Sequence, residues 1–266
     1  MKALGLMAGA LVLALPASGA VGGTWRFVPD AGLRLRNAVS AEVLRRADGS
    51  LFLWANTLRG ISVFKSRDGL VFSRTPGRSP LGSHPTVVAL DGSRLRMYYA
   101  TESGLPIEPS RLRSAISVDG LHWFLENGNR LADVGFGVME VIRLPDDSWR
   151  LYFNDRRLDG SSRIVSARST KGIRFHPEPG IRLPQPYVDP AVVRLRSGRW
   201  LMAVSTIQPK RRQRLFLAES ADGLQWRVQR EPLVDDSVWS LFDPTLLPLG
   251  GDRYRLYYTR SRGSVF

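Results

Sequence analysis

Carboxylates and a histidine recur at one position of this sequence, directly before or within a short strand-like segment that continues with apolar residues. The five segments are Ser40-Ala41-Glu42, His84-Pro85-Thr86, Val138-Met139-Glu140, Asp189-Pro190-Ala191 and Asp243-Pro244-Thr245. Two carboxyl groups in different surroundings can divide acid and base roles, because burial and neighbouring charge raise one pKa and leave the other low. These residues could therefore catalyse a hydrolysis if the fold brings them together.

Two of these residues have a second interpretation. Asp189 and Asp243 each precede a proline, and an aspartate at such a strand entry commonly accepts backbone N–H bonds in a turn. His84 is interpreted as a polar rim residue rather than a metal ligand, because His122 and His176 are remote from it in the sequence pattern. No ligand spacing indicates a metal site, and we predict no cofactor.

A repeat of about fifty residues positions the five segments. Four turns share a serine, two further residues, a glycine and a bulky apolar residue, followed by an aromatic; they begin at Ser66, Ser117, Ser169 and Ser220. Asp-Gly between two apolar runs is a strong hairpin signal, because glycine accepts a positive φ without steric cost. Upstream of each turn, an apolar pair, another turn and a strand usually rich in aromatics recur.

Each unit therefore contains four short strands joined by hairpins, as in one propeller blade. The sequence predicts an all-β five-bladed β-propeller of four-stranded antiparallel blades. In such a fold the first strands line the centre, so the five segments should converge at one mouth. A β-sandwich is the alternative, but its strands do not recur with a fixed four-strand period. A kelch-type propeller has a similar period, but its paired glycines occur here only in the last unit.

The last repeat unit is incomplete. The chain stops at Arg262-Gly263-Ser264-Val265-Phe266, which matches the start of the third strand in the first unit. At the other end of the chain, the segment 23–29 resembles the outer strand of the fourth unit at 224–228. We therefore expect the N-terminal strand to close the last blade as its outer strand, which leaves no unpaired seam between the termini.

The first twenty residues have the features of a signal peptide. Lys2 is followed by an apolar run to Leu15, then by Pro16 and small residues that end at Ala20. Cleavage is expected after Ala20, with Gly19 as the alternative, so that residues 21–266 form a single domain. The apolar run is too short for a transmembrane anchor. The prediction is an exported protein, periplasmic or extracellular, without stable membrane insertion after cleavage.

The composition is strongly basic and lacks cysteine. The net charge is +14, and nearly all of it is arginine spread along the chain. The dense cluster at 210–214 lies between two predicted strands, and no nucleic-acid-binding motif accompanies it, so we predict no nucleic-acid partner. The charge favours anionic partners such as an acidic polysaccharide or a cell envelope. The absence of cysteine excludes disulfides, thiolate metal sites and a cysteine nucleophile.

The Asp-Pro segments, the aromatic second strands and turns such as Ser220-Ala221-Asp222-Gly223-Leu224-Gln225-Trp226 resemble those of the five-bladed propeller glycosidases. That superfamily includes the arabinanases and xylosidases of glycoside hydrolase family 43 and the invertase and levansucrase families. The resemblance covers essentially the whole chain after residue 20. It implies a general base, a general acid and, as in family 43, a third carboxylate that tunes the acid.

The resemblance makes Glu140 the candidate acid. Asp189 and Asp243 are candidates for the base and the third carboxylate, in an order that the sequence leaves open. The family places its base aspartate at the start of the first blade, where this sequence has Ser40; Glu42, two residues on, could take that role.

Polar residues near the ends of the second strands are candidate sugar-binding groups. Together with His84 they are Asn56, Glu102, Asn154, Asp155, Arg156 and Arg260. The sequence thus predicts an exported, monomeric glycoside hydrolase that acts on a glycan, which could be acidic, at the central funnel. The alternative is a non-catalytic propeller that binds a glycan or another envelope component there. A sialidase fits less well, because the turns are shorter than the sialidase Asp-box and the third has Lys171 in place of aspartate.

Overall fold

The computed structural model describes residues 4–14, 24–101, 110–134, 137–156, 161–208 and 210–262. All regular secondary structure in these ranges is β-strand, arranged in five antiparallel sheets. The predicted five-bladed β-propeller is therefore confirmed. Within the same ranges, no helix is long and apolar enough to cross a membrane.

Most blades are built from consecutive strands. The chain begins with β1 (Leu4–Ala14), β2 (Thr24–Pro29) and β3 (Leu35–Arg36). Blade one contains β4 (Val39–Arg45), β5 (Leu51–Thr57), β6 (Gly60–Ser66) and β7 (Ser73–Thr75). Blade two contains β8 (Ser83–Ala89), β9 (Leu95–Thr101), β10 (Ser110–Ser117) and β11 (Phe124–Leu125), with β12 (Leu131–Val134) also paired to β10.

The remaining blades follow the same order. Blade three contains β13 (Glu140–Arg143), β14 (Trp149–Arg156), β15 (Ser162–Ser169) and β16 (His176–Pro177). Blade four contains β17 (Tyr187–Arg194), β18 (Trp200–Thr206), β19 (Leu215–Ser220) and β20 (Arg227–Val228). The last strands are β21 (Trp239–Pro248) and β22 (Arg253–Arg262). The first strands β4, β8, β13, β17 and β21 each contact the first strand of the next blade, which closes a ring around the centre.

Blade five is shared between the two ends of the chain. Its strand order is β21-β22-β1-β2, so β2 is the outer strand, as the sequence predicts. The third strand differs from the expectation, because β1 and not the segment 262–266 pairs with β22, from Leu4 opposite Ser261 to Val12 opposite Arg253. Arg262 ends β22, and residues 263–266 lie outside the described residues.

The segment that forms β1 lies inside the predicted signal peptide, which we expected to be outside the fold. Leu6, Ala8 and Leu11 are fully buried between the blades. A short apolar run satisfies a buried strand as well as the apolar region of a signal peptide, so its composition does not separate the two. Cleavage after Ala20 stays a prediction, and it would remove β1 from blade five.

Hydrogen bonds from aromatic side chains connect neighbouring blades. Each runs from the second strand of one blade to the carbonyl of the turn glycine in the next: Trp54 Nε1 to Gly120 (3.0 Å), Tyr98 Oη to Gly172 (2.8 Å), Tyr152 Oη to Gly223 (2.7 Å) and Tyr257 Oη to Gly69 (3.0 Å). By strand register, Ala203 occupies this position in blade four. The junction of blades four and five has a different bond, from Trp25 Nε1 to Glu219 Oε1 (3.0 Å).

Candidate active site

Four inner strands carry a β-bulge at the same place. The pairing with the second strand shifts register between Val39 and Glu42, and equivalently in blades two, four and five. The bulged residues Ser40, His84, Asp189 and Asp243 have φ values of 48°, 51°, 57° and 50°. A non-glycine residue in this region costs on the order of 1–3 kcal/mol, and such residues cluster at functional sites. We call these four residues the first tier.

Within the first tier, hydrogen bonds join blades five, one and two. Ser40 donates from both its backbone N–H and its hydroxyl to Oδ2 of Asp243, at 2.9 Å each. His84 Nδ1 lies 3.0 Å from the same hydroxyl. Burial lowers the pKa of His84 to about 4, so this imidazole is neutral at neutral pH. The sequence placed His84 on a polar rim, and the structure places it beside Ser40.

Asp189 and Asp243 are a buried pair with unequal hydrogen bonding. Asp189 accepts a bond from Ser205 Oγ at 2.6 Å, and its other oxygen lies 3.4 Å from both the Val138 amide and Asn154 Nδ2. Burial raises the pKa of Asp189, while these bonds oppose the shift. Burial and the charge of Asp189 raise the pKa of Asp243 to about 8. The carboxyl with fewer donors, Asp243, is therefore the one that holds a proton at neutral pH.

A second tier lies two residues further along the inner strands. It consists of Glu42, Thr86, Glu140 and Thr245. Thr86 Oγ1 donates to Glu140 Oε1 at 3.4 Å, and burial raises the pKa of Glu140 to about 8. Burial and the charge of Glu140 raise the pKa of Glu42 well above its usual value, against a hydrogen bond from Thr245. The centre thus holds two pairs of carboxyl groups, one in each tier, and in each pair the charge of one member raises the pKa of the other.

The inner strand of blade three begins differently from the inner strands of the other blades. It starts only at Glu140, and no left-handed residue stands at Val138. Gly137 instead has φ 127°, and a Cβ there would lie 2.2 Å from Asn154 Nδ2 and 3.1 Å from Asp189 Oδ1. Only glycine allows this close approach, which brings the Val138 amide to Asp189.

Of the predicted sugar-binding residues, Asn154 reaches the centre and its neighbour Asp155 does not. Successive side chains of a strand point to opposite faces. Asn154 is buried against Asp189, whereas Asp155 forms an ion pair of 2.7 Å with Arg163 and lines a separate cavity of about 470 Å³. Asp155 is therefore placed away from the carboxyl pairs.

The remaining candidates differ in position, and two of them are described only in part or not at all. Asn56 is half-buried opposite Val39, next to the blade-one bulge. Arg260 stacks over the ring of Trp239 at 4.4 Å. Glu102 lies outside the described residues, and of Arg156 only the backbone, at the end of β14, is described.

Two contributors to the site were missed in the sequence. Ser205 is an ordinary-looking residue of an apolar second strand, and Gly137 lies outside the repeat pattern; the inner-strand alignment contains neither. Within the described part of the chain, no three His, Cys, Asp or Glu side chains are grouped so that they could hold a metal ion. The arrangement offers paired carboxyls, of which some hold a proton at neutral pH, and is suited to acid–base chemistry.

Comparisons with known proteins find similarity in structure and not in sequence. No protein-family model and no curated protein matches the chain. A thermostable family-43 glycoside hydrolase superposes with a TM-score of 0.69 at 13% identity, over 85% of this chain and 88% of the other. An endo-arabinase from Bacteroides thetaiotaomicron gives 0.65 at 16%, over 88% and 95%.

An N-acetylgalactosamine deacetylase from F. plautii, in complex with blood group B trisaccharide, gives a TM-score of 0.62 at 14% identity, over 96% and 95%. At these identities the similarity is one of fold. The chain thus has the five-bladed propeller fold of the family-43 glycoside hydrolases, as the sequence resemblance implied.

Proposed function

We propose that this protein hydrolyses glycosidic bonds at the centre of the propeller, with Glu140 as the general acid and Asp189 as the general base. The observation that carries the proposal is two pairs of interacting carboxyl groups at the centre, Glu42 with Glu140 and Asp189 with Asp243. Glu140 is half-buried and the other three are buried. Burial of charged groups without a partner costs folding free energy, so a purely structural centre would not be expected to keep four carboxyls.

Glu140 suits the acid role because it holds a proton at neutral pH. Its pKa of about 8 leaves the carboxyl protonated, and it is less deeply buried than Glu42. In the reaction this proton passes to the glycosidic oxygen as the bond to the anomeric carbon breaks. The repulsion between Glu42 and Glu140 disfavours ionisation of both, which keeps a proton within the pair.

Asp189 suits the base role because three hydrogen bonds favour its ionised form over that of Asp243. A carboxylate there would take a proton from a water molecule, whose oxygen then bonds to the anomeric carbon. Asp243, held by Ser40, keeps the proton of the pair, because burial and the charge of Asp189 raise its pKa. Ser40 is thus a hydrogen-bond donor to the carboxyl of Asp243, and not a substitute for a carboxyl group.

We further propose that the substrate is a glycan and that the protein is exported to the compartment where this glycan occurs. The positive charge of the chain supports an acidic glycan, and the features of residues 1–20 support export. A second candidate function is glycan binding without hydrolysis. It is favoured by Ser40, which stands where the resemblance implies a base aspartate.

Hydrolysis of a panel of aryl glycosides and polysaccharides, with the wild type beside Asp189→Asn, tests the proposal. We expect turnover of at least one substrate, and a loss of kcat of about 10²–10⁴-fold in the variant with little change in KM. Binding of a glycan without turnover would instead support the non-catalytic function. Unchanged kcat in Asp189→Asn would remove this residue from the base role.

A further inference from the structure

A cleft of about 1080 Å³ lies at the junction of blades four and five, away from the central carboxyls. Its lining includes Trp25 and Phe27 from β2, and Arg199, Glu219, Arg227 and Gln229 from blade four. This is also the junction at which Ala203 replaces the aromatic donor of the other blades. The repeat is thus broken where the cleft lies.

One wall of the cleft is a row of charged side chains. Arg227 on β20 lies directly opposite Glu219 on β19, so the two side chains share a face of the sheet. The next residue, Val228, and the preceding one, Trp226, pack towards blade three, so this shared face is the one that faces blade five. Arg199 forms an ion pair with Glu219 on the same wall.

Both carboxylate oxygens of Glu219 already have a partner, and neither partner is Arg227. One carboxylate oxygen of Glu219 accepts a bond from Trp25 Nε1 and the other binds Arg199. Among the described residues, no acidic side chain lies within ion-pair distance of the exposed Arg227. A planar guanidinium without a protein partner can bind a carboxylate through two parallel hydrogen bonds.

The opposite wall of the cleft is aromatic. Trp25 is buried edge-on against Tyr254, and Phe27 is half-buried, with its ring packed edge-on against Tyr258 at 6.1 Å. These contacts fix the orientation of the rings, while part of Phe27 stays accessible. A ring held in this way offers a flat apolar surface for the C–H face of a sugar.

We propose that this cleft is a second carbohydrate site, which binds an acidic oligosaccharide. A sugar carboxylate binds Arg227, with the free donors of Arg199 beside it, and the sugar ring lies on Phe27. The site uses none of the residues of the central tiers, so it stands whether or not the centre hydrolyses glycans. It would hold an acidic polymer on the outer side of the propeller.

Calorimetry with the full chain and trigalacturonate as the probe tests the proposal. We expect the probe to bind the wild type, and Arg227→Gln to weaken binding at least about tenfold, which is about 1.4 kcal/mol. Arg227→Lys, which keeps the charge but not the two-pronged geometry, should bind with intermediate affinity. Arg74→Gln on β7 of blade one is the matched control, because it removes an arginine that is also exposed but lies outside the cleft. It should bind as the wild type does.

Four results would overturn the proposal. The first is no binding, or equal binding of a neutral galactose trimer, since the carboxylate would then have no role. The second is an equal loss in Arg74→Gln, which would mean general attraction to a basic surface. The third is binding that Glu140→Gln abolishes and Arg227→Gln leaves unchanged, which would place the probe at the centre. The fourth is tighter binding of a single-stranded oligonucleotide than of trigalacturonate, with the same dependence on Arg227, which would identify the ligand of the cleft as a nucleic acid.

Discussion

Asp189 and Asp243 differ in the hydrogen bonds that their carboxylates accept, and this difference decides which of them holds a proton at neutral pH. Ser205, Asn154 and the Val138 amide all donate to Asp189, while only Ser40 donates to Asp243. The raised pKa of Asp243, about 8, reflects burial and the repulsion from Asp189. The roles of the pair therefore follow from their neighbours and not from the residue type.

A pair of asparagine substitutions tests this assignment. Asp243→Asn mimics the protonated carboxyl and removes the repulsion, so the free energy of unfolding should change by less than about 1 kcal/mol. Asp189→Asn turns an amide towards the donors that the carboxylate accepted, and should lose about 1–3 kcal/mol. Urea denaturation at pH 7 measures both. Equal losses in the two variants would contradict the assignment.

Some side-chain positions in the site can be predicted from the sequence, and others cannot. The repeat aligns the segments that contain Glu42, Glu140, Asp189 and Asp243, and in the structure these segments belong to the inner strands around the centre. The repeat cannot tell that Asn154 points inwards and Asp155 outwards, because both follow the same aromatic strand. That distinction depends on strand register, which the pairing of β14 with β15 fixes.

At the scale of single elements, the turn glycines have two separate requirements. Gly69 has φ 75°, and a Cβ there would lie 2.5 Å from Tyr257 Oη. Gly49 has φ 83° with no atom within 4 Å of such a Cβ. The two positions thus share the backbone requirement and differ in the contact with a neighbouring blade.

Alanine at the two positions separates these requirements. Gly49→Ala should lose about 1–2 kcal/mol through the left-handed backbone alone. Gly69→Ala should lose about 1–3 kcal/mol more, because the methyl group displaces Tyr257 from the carbonyl that it binds. Thermal denaturation of the two variants provides the comparison, and equal losses would mean that the contact between blades five and one contributes nothing.

The segment that forms strand β1 has the features of a signal peptide in the sequence but is the third strand of blade five in the structure. As a signal peptide it would be removed, and as the third strand of blade five it covers β22 along nine residue pairs, from Leu4–Ser261 to Val12–Arg253. The sequence could not decide between them, because both uses require an uncharged apolar run.

A leucine substitution in the full chain distinguishes the two uses. Leu11→Ala should lower the free energy of unfolding by about 2–5 kcal/mol if β1 belongs to the fold, because Leu11 is fully buried. Leu58→Ala is the matched control, because Leu58 is 95% exposed and its loss should change stability by less than about 0.5 kcal/mol. A Leu11→Ala protein as stable as this control would place the segment outside the fold.

At the scale of the whole molecule, the buried carboxyls couple stability to pH. Glu140 and Asp243, with a pKa of about 8 in the folded state, keep protons that the unfolded chain releases near its ordinary carboxyl values. The folded state then binds more protons, so stability falls as pH rises towards about 8. His84 acts oppositely, but only below its unfolded pKa of 6.5, where the unfolded chain takes up the proton.

The melting temperature should therefore fall between pH 6.5 and about 8 and change less above that. The double variant Glu140→Gln, Asp243→Asn should show a shallower fall, since amides do not titrate. Scanning calorimetry of both proteins across this range is the measurement. Identical slopes would mean that these two carboxyls are not protonated in the folded protein.

The fold as a whole was predictable because the repeat consists of turn motifs and aromatic strands, which residues close in sequence determine. The division of blade five between the termini was predictable only in part. The outer strand β2 resembles its counterpart in blade four, whereas β1 resembles no third strand of the other blades. The cleft at the junction of blades four and five arises from contacts distant in sequence, such as Trp25 with Glu219, and no local pattern indicates it.

The acid role of Glu140 is tested most directly by how the loss of activity in Glu140→Gln depends on the leaving group. Two aryl glycosides of a sugar that the wild type hydrolyses are compared, one with an acidic phenol and one with a weakly acidic phenol. Asp252→Asn, at an exposed turn between β21 and β22, serves as the control and should keep the wild-type kcat. We expect a loss of about 10²–10⁴-fold in kcat for the weakly acidic phenol and a much smaller loss for the other, which needs no proton. Equal losses for both substrates, or no loss for either, would mean that Glu140 is not the general acid.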